Sequence, residues 1–232
     1  MEDARTGPGN SDRACRMIWH LQIRTEKKMN RVYQRIKEQK IQKAEAKHDN
    51  LITFVVLGAK HIGKTALVRR FIHGSFSPTY TPTIEDCYFR TFYNRYSGTF
   101  SNIRIIDTSG YYHFPAMQRL DMSKANVLLL VYEVRNVQSM QRAIDLYKTA
   151  MDVLEGRPPV PVVFIGAKID TEKDTDNYKA EMIEKFIQEH VSAYCRHLLT
   201  SARLDINVDE IFDVALLLLE RLRTWVCLFS HR

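Results

Sequence analysis

The chain has 232 residues, 45% hydrophobic, 10% aromatic and 26% charged, with a net charge of +7. That content suits one sizeable packed domain with an extension and excludes a wholly disordered chain. No apolar run is long enough to span a bilayer, and the N-terminus lacks the apolar block and small-residue cleavage site of a secretory signal.

In chain order, residues 1–12 are polar, contain Gly and Pro, and read as a flexible tail. Residues 13–50 read as a basic helical extension. Between Arg13 and His48 there are 11 Lys and Arg against 3 Glu, so the positive charge belongs to this segment. Its apolar stripe (Ile18, Leu21, Met29, Val32, Tyr33, Ile36) is narrow. Three readings of the helix over 13–48 stay open: a solvated linker, an element lying on an anionic membrane surface, or a helix that binds a partner protein. Nucleic acid is not expected, because no recognition module accompanies the charge.

From Leu51 to Arg223 apolar runs alternate with amphipathic stretches. The expected order is a buried strand (51–58), a helix (64–74) and a hairpin (85–107) turning at Ser97-Gly98. A buried strand (127–134), a helix (136–155) and a strand (162–166) come next. A helix (about 177–194), a short strand (197–200) and a last helix (207–223) complete the set. This pattern predicts an α/β fold: six strands, mostly parallel, one antiparallel edge strand, and helices on both faces. Residues 224–232 read as a C-terminal tail. Cys15, Cys87, Cys195 and Cys227 have neither metal-ligand nor redox spacing and read as reduced thiols of a cytoplasmic protein.

"GAKHIGKT" (58–65) follows the first strand and opens the first helix, the context a P-loop requires. Gly58 and Gly63 free the backbone, so the amides of Lys60, His61, Ile62, Gly63, Lys64, Thr65 and Ala66 can turn toward phosphate oxygens. Lys64 suits the β- and γ-phosphates, and the Thr65 hydroxyl suits Mg²⁺. A phosphate loop alone fits an ATPase, a kinase or a GTPase.

Five motifs in order, "GAKHIGKT", "YTPTIED", "DTSG", "AKID" and "TSAR", resemble the Ras superfamily of small GTPases over about residues 51–223. The resemblance implies a signalling switch that binds GTP or GDP with Mg²⁺ and hydrolyses GTP. It implies that Asp170 accepts hydrogen bonds from guanine, Lys168 lies along the ring, and Phe76 packs on its other side. It also implies that Ser201 holds the Ala202 amide toward the base oxygen, with Arg203 in place of the usual Lys. Thr83 and Asp107 join Thr65 at the metal, and the Gly110 amide meets the γ-phosphate. Tyr80, Pro82, Thr83, Ile84, Glu85 and Asp86 form the effector surface, where protein effectors and exchange factors bind.

The chain departs from the family pattern in three places. Ala167 replaces the Asn before Lys168, which implies weaker base binding. Tyr111 replaces the Gln that orients the attacking water, so Lys64, Gly110 and Tyr111 form a catalytic set expected to work slowly. Lys60 crowds any incoming arginine finger. "DTSG" with "FPAM" (114–117) resembles the branch holding the Di-Ras and Rhes/Dexras proteins. A pseudo-GTPase scaffold with weak or static nucleotide binding stands as the alternative. "CLFS" (227–230) resembles a prenylation box but is followed by His231 and Arg232, so no prenylation is expected from the C-terminus as written. A peripheral position on the inner plasma membrane is expected only if the basic helix binds lipid.

Overall fold

The computed structural model describes residues 51–79, 81–110, 115–171, 177–190 and 194–229. They belong to one compact unit, Asn50–Arg232. The tail over 1–12 and the basic helix over 13–48 lie outside the described residues.

Among the described residues there are six strands: β1 Leu51–Leu57, β2 Glu85–Asn94, β3 Thr99–Thr108, β4 Val127–Glu133, β5 Val162–Ala167 and β6 Cys195–Thr200. Five α-helices accompany them among the described residues: α1 Lys64–His73, α2 Pro115–Ser123, α3 Val137–Val153, α4 Asn177–His190 and α5 Val208–Phe229. The strands form one sheet in the order β2-β3-β1-β4-β5-β6. β2 pairs antiparallel with β3, and the other four pairings are parallel. The expected architecture is the observed one, with the antiparallel strand at an edge.

The central strands explain the order. β1, β4 and β5 are runs of Val, Ile, Leu and Phe buried on both faces, which only a sheet covered on both sides can satisfy. On one face Leu67, Val68 and Phe71 of α1 pack with Ile211, Phe212 and Ala215 of α5. Phe71 stacks on Phe212 with ring centroids 3.5 Å apart. On the other, Met122 of α2, Met140, Ala143 and Leu146 of α3 and Ile183 of α4 cover Leu128, Leu130 and Phe164. The edge hairpin is fastened to α5 as well. Buried Asp213 accepts from Arg95 Nε at 2.5 Å and from its backbone N–H at 2.9 Å.

The boundaries differ from expectation in two instructive places. α2 was not anticipated, because its only buried side chains are Asp121 and Met122, so it carries no apolar stripe to read. α5 continues to Phe229 rather than stopping at Arg223, because "TWVCLF" contains neither Gly nor Pro to end it.

Candidate functional site

All the parallel strands point their carboxyl ends to one side of the sheet, where ligands of such folds bind. The loop after β1 turns there into α1. Gly58 has φ 152° and Gly63 has φ 102°, both in the region open mainly to glycine. His61 adopts φ 63°, a left-handed conformation that costs a non-glycine residue about 1–3 kcal/mol. The Ile62 side chain is buried in the core, so it can serve the loop only through its amide. The Lys60 and His61 side chains are exposed.

Lys64 is buried, and its Nζ donates to Gly58 O at 3.0 Å and Ala59 O at 2.7 Å. Burial lowers its pKa to about 8, opposed by the Asp107 carboxylate. Asp107, next to last in β3, lies beside it. Burial raises its carboxyl pKa to about 6, opposed by the hydrogen bond from Thr65 and the charge of Lys64. Thr65 Oγ1 donates to Asp107 Oδ2 at 2.6 Å and lies 2.7 Å from Thr83 Oγ1. So Thr65, Thr83 and Asp107, 42 residues apart at the extremes, meet at one point.

Asp107 Oδ1 is buried and has no hydrogen-bond partner among the described residues. A buried carboxylate oxygen without a partner is costly. Beside two hydroxyls it fits a small hard cation, which takes oxygen ligands. The predicted metal set is therefore brought together. A proton competes for that carboxylate below pH 6. The apparent Mg²⁺ affinity is accordingly expected to fall by about tenfold per pH unit below 6 and to level off above it. Titrating Mg²⁺ at fixed pH values between 5 and 7.5, with nucleotide release as the readout, checks this.

A cleft of about 240 Å³ opens over this point. Its lining includes Gly63, Lys64, Thr65, Phe76, Thr83, Gly110 and Lys168. Gly110 presses on the phosphate loop: a Cβ there would lie 2.4 Å from Lys60 Cα and 2.5 Å from Lys60 N. No side chain fits at 110. Tyr111 and Tyr80 lie outside the described residues.

Asp170, Ser201, Ala202 and Arg203 are not part of the lining of that cleft, but they are tied together and to the site. Ser201 Oγ donates to Asp170 Oδ1 at 2.6 Å and accepts from Leu204 N–H at 3.0 Å. Lys168 adopts φ 67°, and its Nζ reaches His61 O at 2.8 Å, which joins this loop to the phosphate loop. The same Nζ lies 2.8 Å from Glu133 Oε2 at the end of β4. Ala167 is buried at the end of β5 and offers only a methyl group.

Sequence reasoning missed Arg70. From α1 its guanidinium donates to Ala202 O at 2.7 Å, Arg203 O at 3.0 Å and Gly74 O at 2.6 Å. It therefore holds the start of the segment leading to Phe76 against the loop carrying Ala202. The partners lie up to 133 residues away, and no local pattern signals such a bond. Arg70→Ala is expected to speed nucleotide release about tenfold, the loss of a charge-assisted contact. Arg70→Lys, lacking the planar fork, recovers only part of that. Displacement of a fluorescent nucleotide measures both.

The effector residues divide. Pro82 is exposed and Ile84 is 68% exposed, whereas Thr83 turns inward to Thr65. Glu85 departs from expectation: it is 5% exposed, held at the first position of β2 opposite Thr108. A side chain so placed cannot present itself to a partner, although the backbone of edge strand β2 can.

A Ras family model matches residues 53–221. The GTP-binding protein Di-Ras1 of Homo sapiens is 35% identical over 165 residues, covering 71% of this chain and 79% of that one. The GTP-binding protein drn-1 of Caenorhabditis elegans is 34% identical, covering 72% and 74%. The GTP-binding protein Rhes of Homo sapiens is 34% identical, covering 71% and 63%.

Proposed function

The chain belongs to the Ras family, and on that premise we propose that it is a guanine-nucleotide switch that hydrolyses GTP slowly. The convergence of Thr65, Thr83 and the partnerless Asp107 oxygen beside buried Lys64 carries this reading. These residues would hold Mg²⁺, which would supply positive charge against that developing on the phosphate oxygens. Lys64 leaves its two loop carbonyls for the β- and γ-phosphates, and their negative charge restores the pKa that burial depresses. Asp170 accepts from the guanine N1–H and amino group while Ser201 fixes its orientation. Thr83 links the metal site to the β2 edge, where partners add by strand pairing and where Pro82 and Ile84 stand exposed.

Turnover in this chemistry depends on positioning the attacking water and stabilising charge on the transferred phosphoryl group. Tyr111 stands where the family places Gln. A phenol cannot bond the water and the γ-phosphate together as an amide does. Gly110 already lies against the Lys60 backbone, and a Lys side chain at that point obstructs an arginine supplied by an activating protein.

Ala167 favours a second reading, a scaffold that binds nucleotide weakly and does not turn over. Chromatography of the denatured, purified full chain separates the two. Stoichiometric guanine nucleotide supports the switch, an empty protein supports the scaffold, and adenine nucleotide overturns both. Single-turnover assay of the GTP-loaded protein then tests slowness, and a rate equal to that of ordinary Ras proteins contradicts it. Sedimentation with vesicles, with and without anionic lipid, tests whether residues 13–48 carry the protein to a membrane surface.

A further inference from the structure

Glu133 is the last residue of β4, in register with Ala167 on β5. Its backbone is fixed from two sides. Its N–H donates to Ser139 Oγ at 3.0 Å, and Val134 N–H donates to Ala167 O at 3.2 Å. Ser139 is itself set by the Asn136 cap of α3, whose side chain accepts from Ser139 N–H at 2.9 Å. The Glu133 carboxylate is thus mounted on a rigid strand end, three-quarters buried. Lys168, by contrast, sits on a loop in a left-handed conformation at φ 67°. Its long side chain has rotamer freedom to lose. It spans from the base loop to His61 O in the phosphate loop.

Ala167 cannot help to hold that span, because a methyl group makes no hydrogen bond. A nearby group that can is Glu133, 2.8 Å from the same ammonium. We propose that Glu133 is a positioning residue for nucleotide binding: it anchors the Lys168 ammonium, so that one side chain locks the base loop to the phosphate loop where residue 167 offers no polar tether. The proposal rests on the guanine-nucleotide reading of the site. The pair is partly exposed, with 35% and 25% of the two side chains accessible, so its strength declines with salt.

The test uses the full chain preloaded with fluorescent GDP. Glu133→Ala releases it about tenfold faster at low ionic strength, and Glu133→Gln, which keeps an acceptor without the charge, falls between. The gap narrows in high salt. In a Lys168→Ala background, Glu133→Ala adds nothing, because the ammonium it anchors is gone. Unchanged release in Glu133→Ala, or full additivity with Lys168→Ala, overturns the proposal. A second measurement needs no nucleotide. Amide hydrogen exchange at 59–62 in the nucleotide-free protein rises about threefold or more in Glu133→Ala if the lock exists, and unchanged exchange counts against it. Should the wild type load no guanine nucleotide, the switch reading fails, and the exchange measurement alone decides the role of Glu133.

Discussion

Asp170→Asn is expected to lower affinity for guanine nucleotides by about a thousandfold or more and to raise affinity for xanthine nucleotides. Guanine offers two donors along one edge, N1–H and the amino group, and a carboxylate offers two acceptors. An amide offers one acceptor and one donor, which leaves a donor facing a donor. Xanthine has a carbonyl in place of the amino group, so it matches the amide. The structure makes this substitution a clean one. Ser201 Oγ donates to Asp170 Oδ1 at 2.6 Å, and an Asn oxygen can take over that bond, which leaves the new NH₂ toward the base. Competition between GDP and XDP for the purified variant measures the exchange. Equal GDP affinity in variant and wild type would remove Asp170 from the base site.

Gly58→Ala is expected to cost about 4 kcal/mol of stability or to prevent folding. The added methyl would lie 2.2 Å from Val131 O and 2.5 Å from Ile62 Cδ1, at a φ of 152°. Val131 is in the middle of the sheet on buried β4, where a close-packed backbone cannot withdraw. Gly74→Ala provides the contrast. A methyl there meets nothing within 4 Å, so only its φ of 64° is penalised, at about 1 kcal/mol. Urea denaturation of the two variants separates steric exclusion from backbone preference. Similar losses in both would mean that Gly58 is needed for its dihedral alone.

Much of this arrangement was legible before any coordinates. The phosphate loop is contiguous, its glycines have a backbone reason, and a continuous apolar run precedes it while an amphipathic helix follows. The buried strands announce themselves because β1, β4 and β5 are apolar on both faces. What was not legible depends on distance along the chain or on weak amphipathicity. Arg70 is one of two arginines in "RRF", and nothing local distinguishes the one that reaches Ala202. Glu133 reads as the polar end of a strand until the partner 35 residues on is seen. Glu85 belongs to the effector surface by resemblance, but at the first position of β2, opposite Thr108, it is buried. α2 escaped because a helix with two buried side chains has no stripe.

The strand order also sets a schedule. A ribosome makes the phosphate loop early and the loop of Ser201 to Arg203 late, more than half the chain apart. At the usual pace of synthesis the interval is roughly ten seconds. Throughout it Arg70 has no Ala202 or Arg203 carbonyl to hold, and after β3 the sheet grows on one side only, through β4, β5 and β6 in turn. On the proposed reading of the site, the newborn chain acquires the means to gather phosphate before it acquires the means to tell one base from another. The last helix packs over Val127, Leu129 and Val131 of β4, and until it is made that apolar face is the cell's to protect.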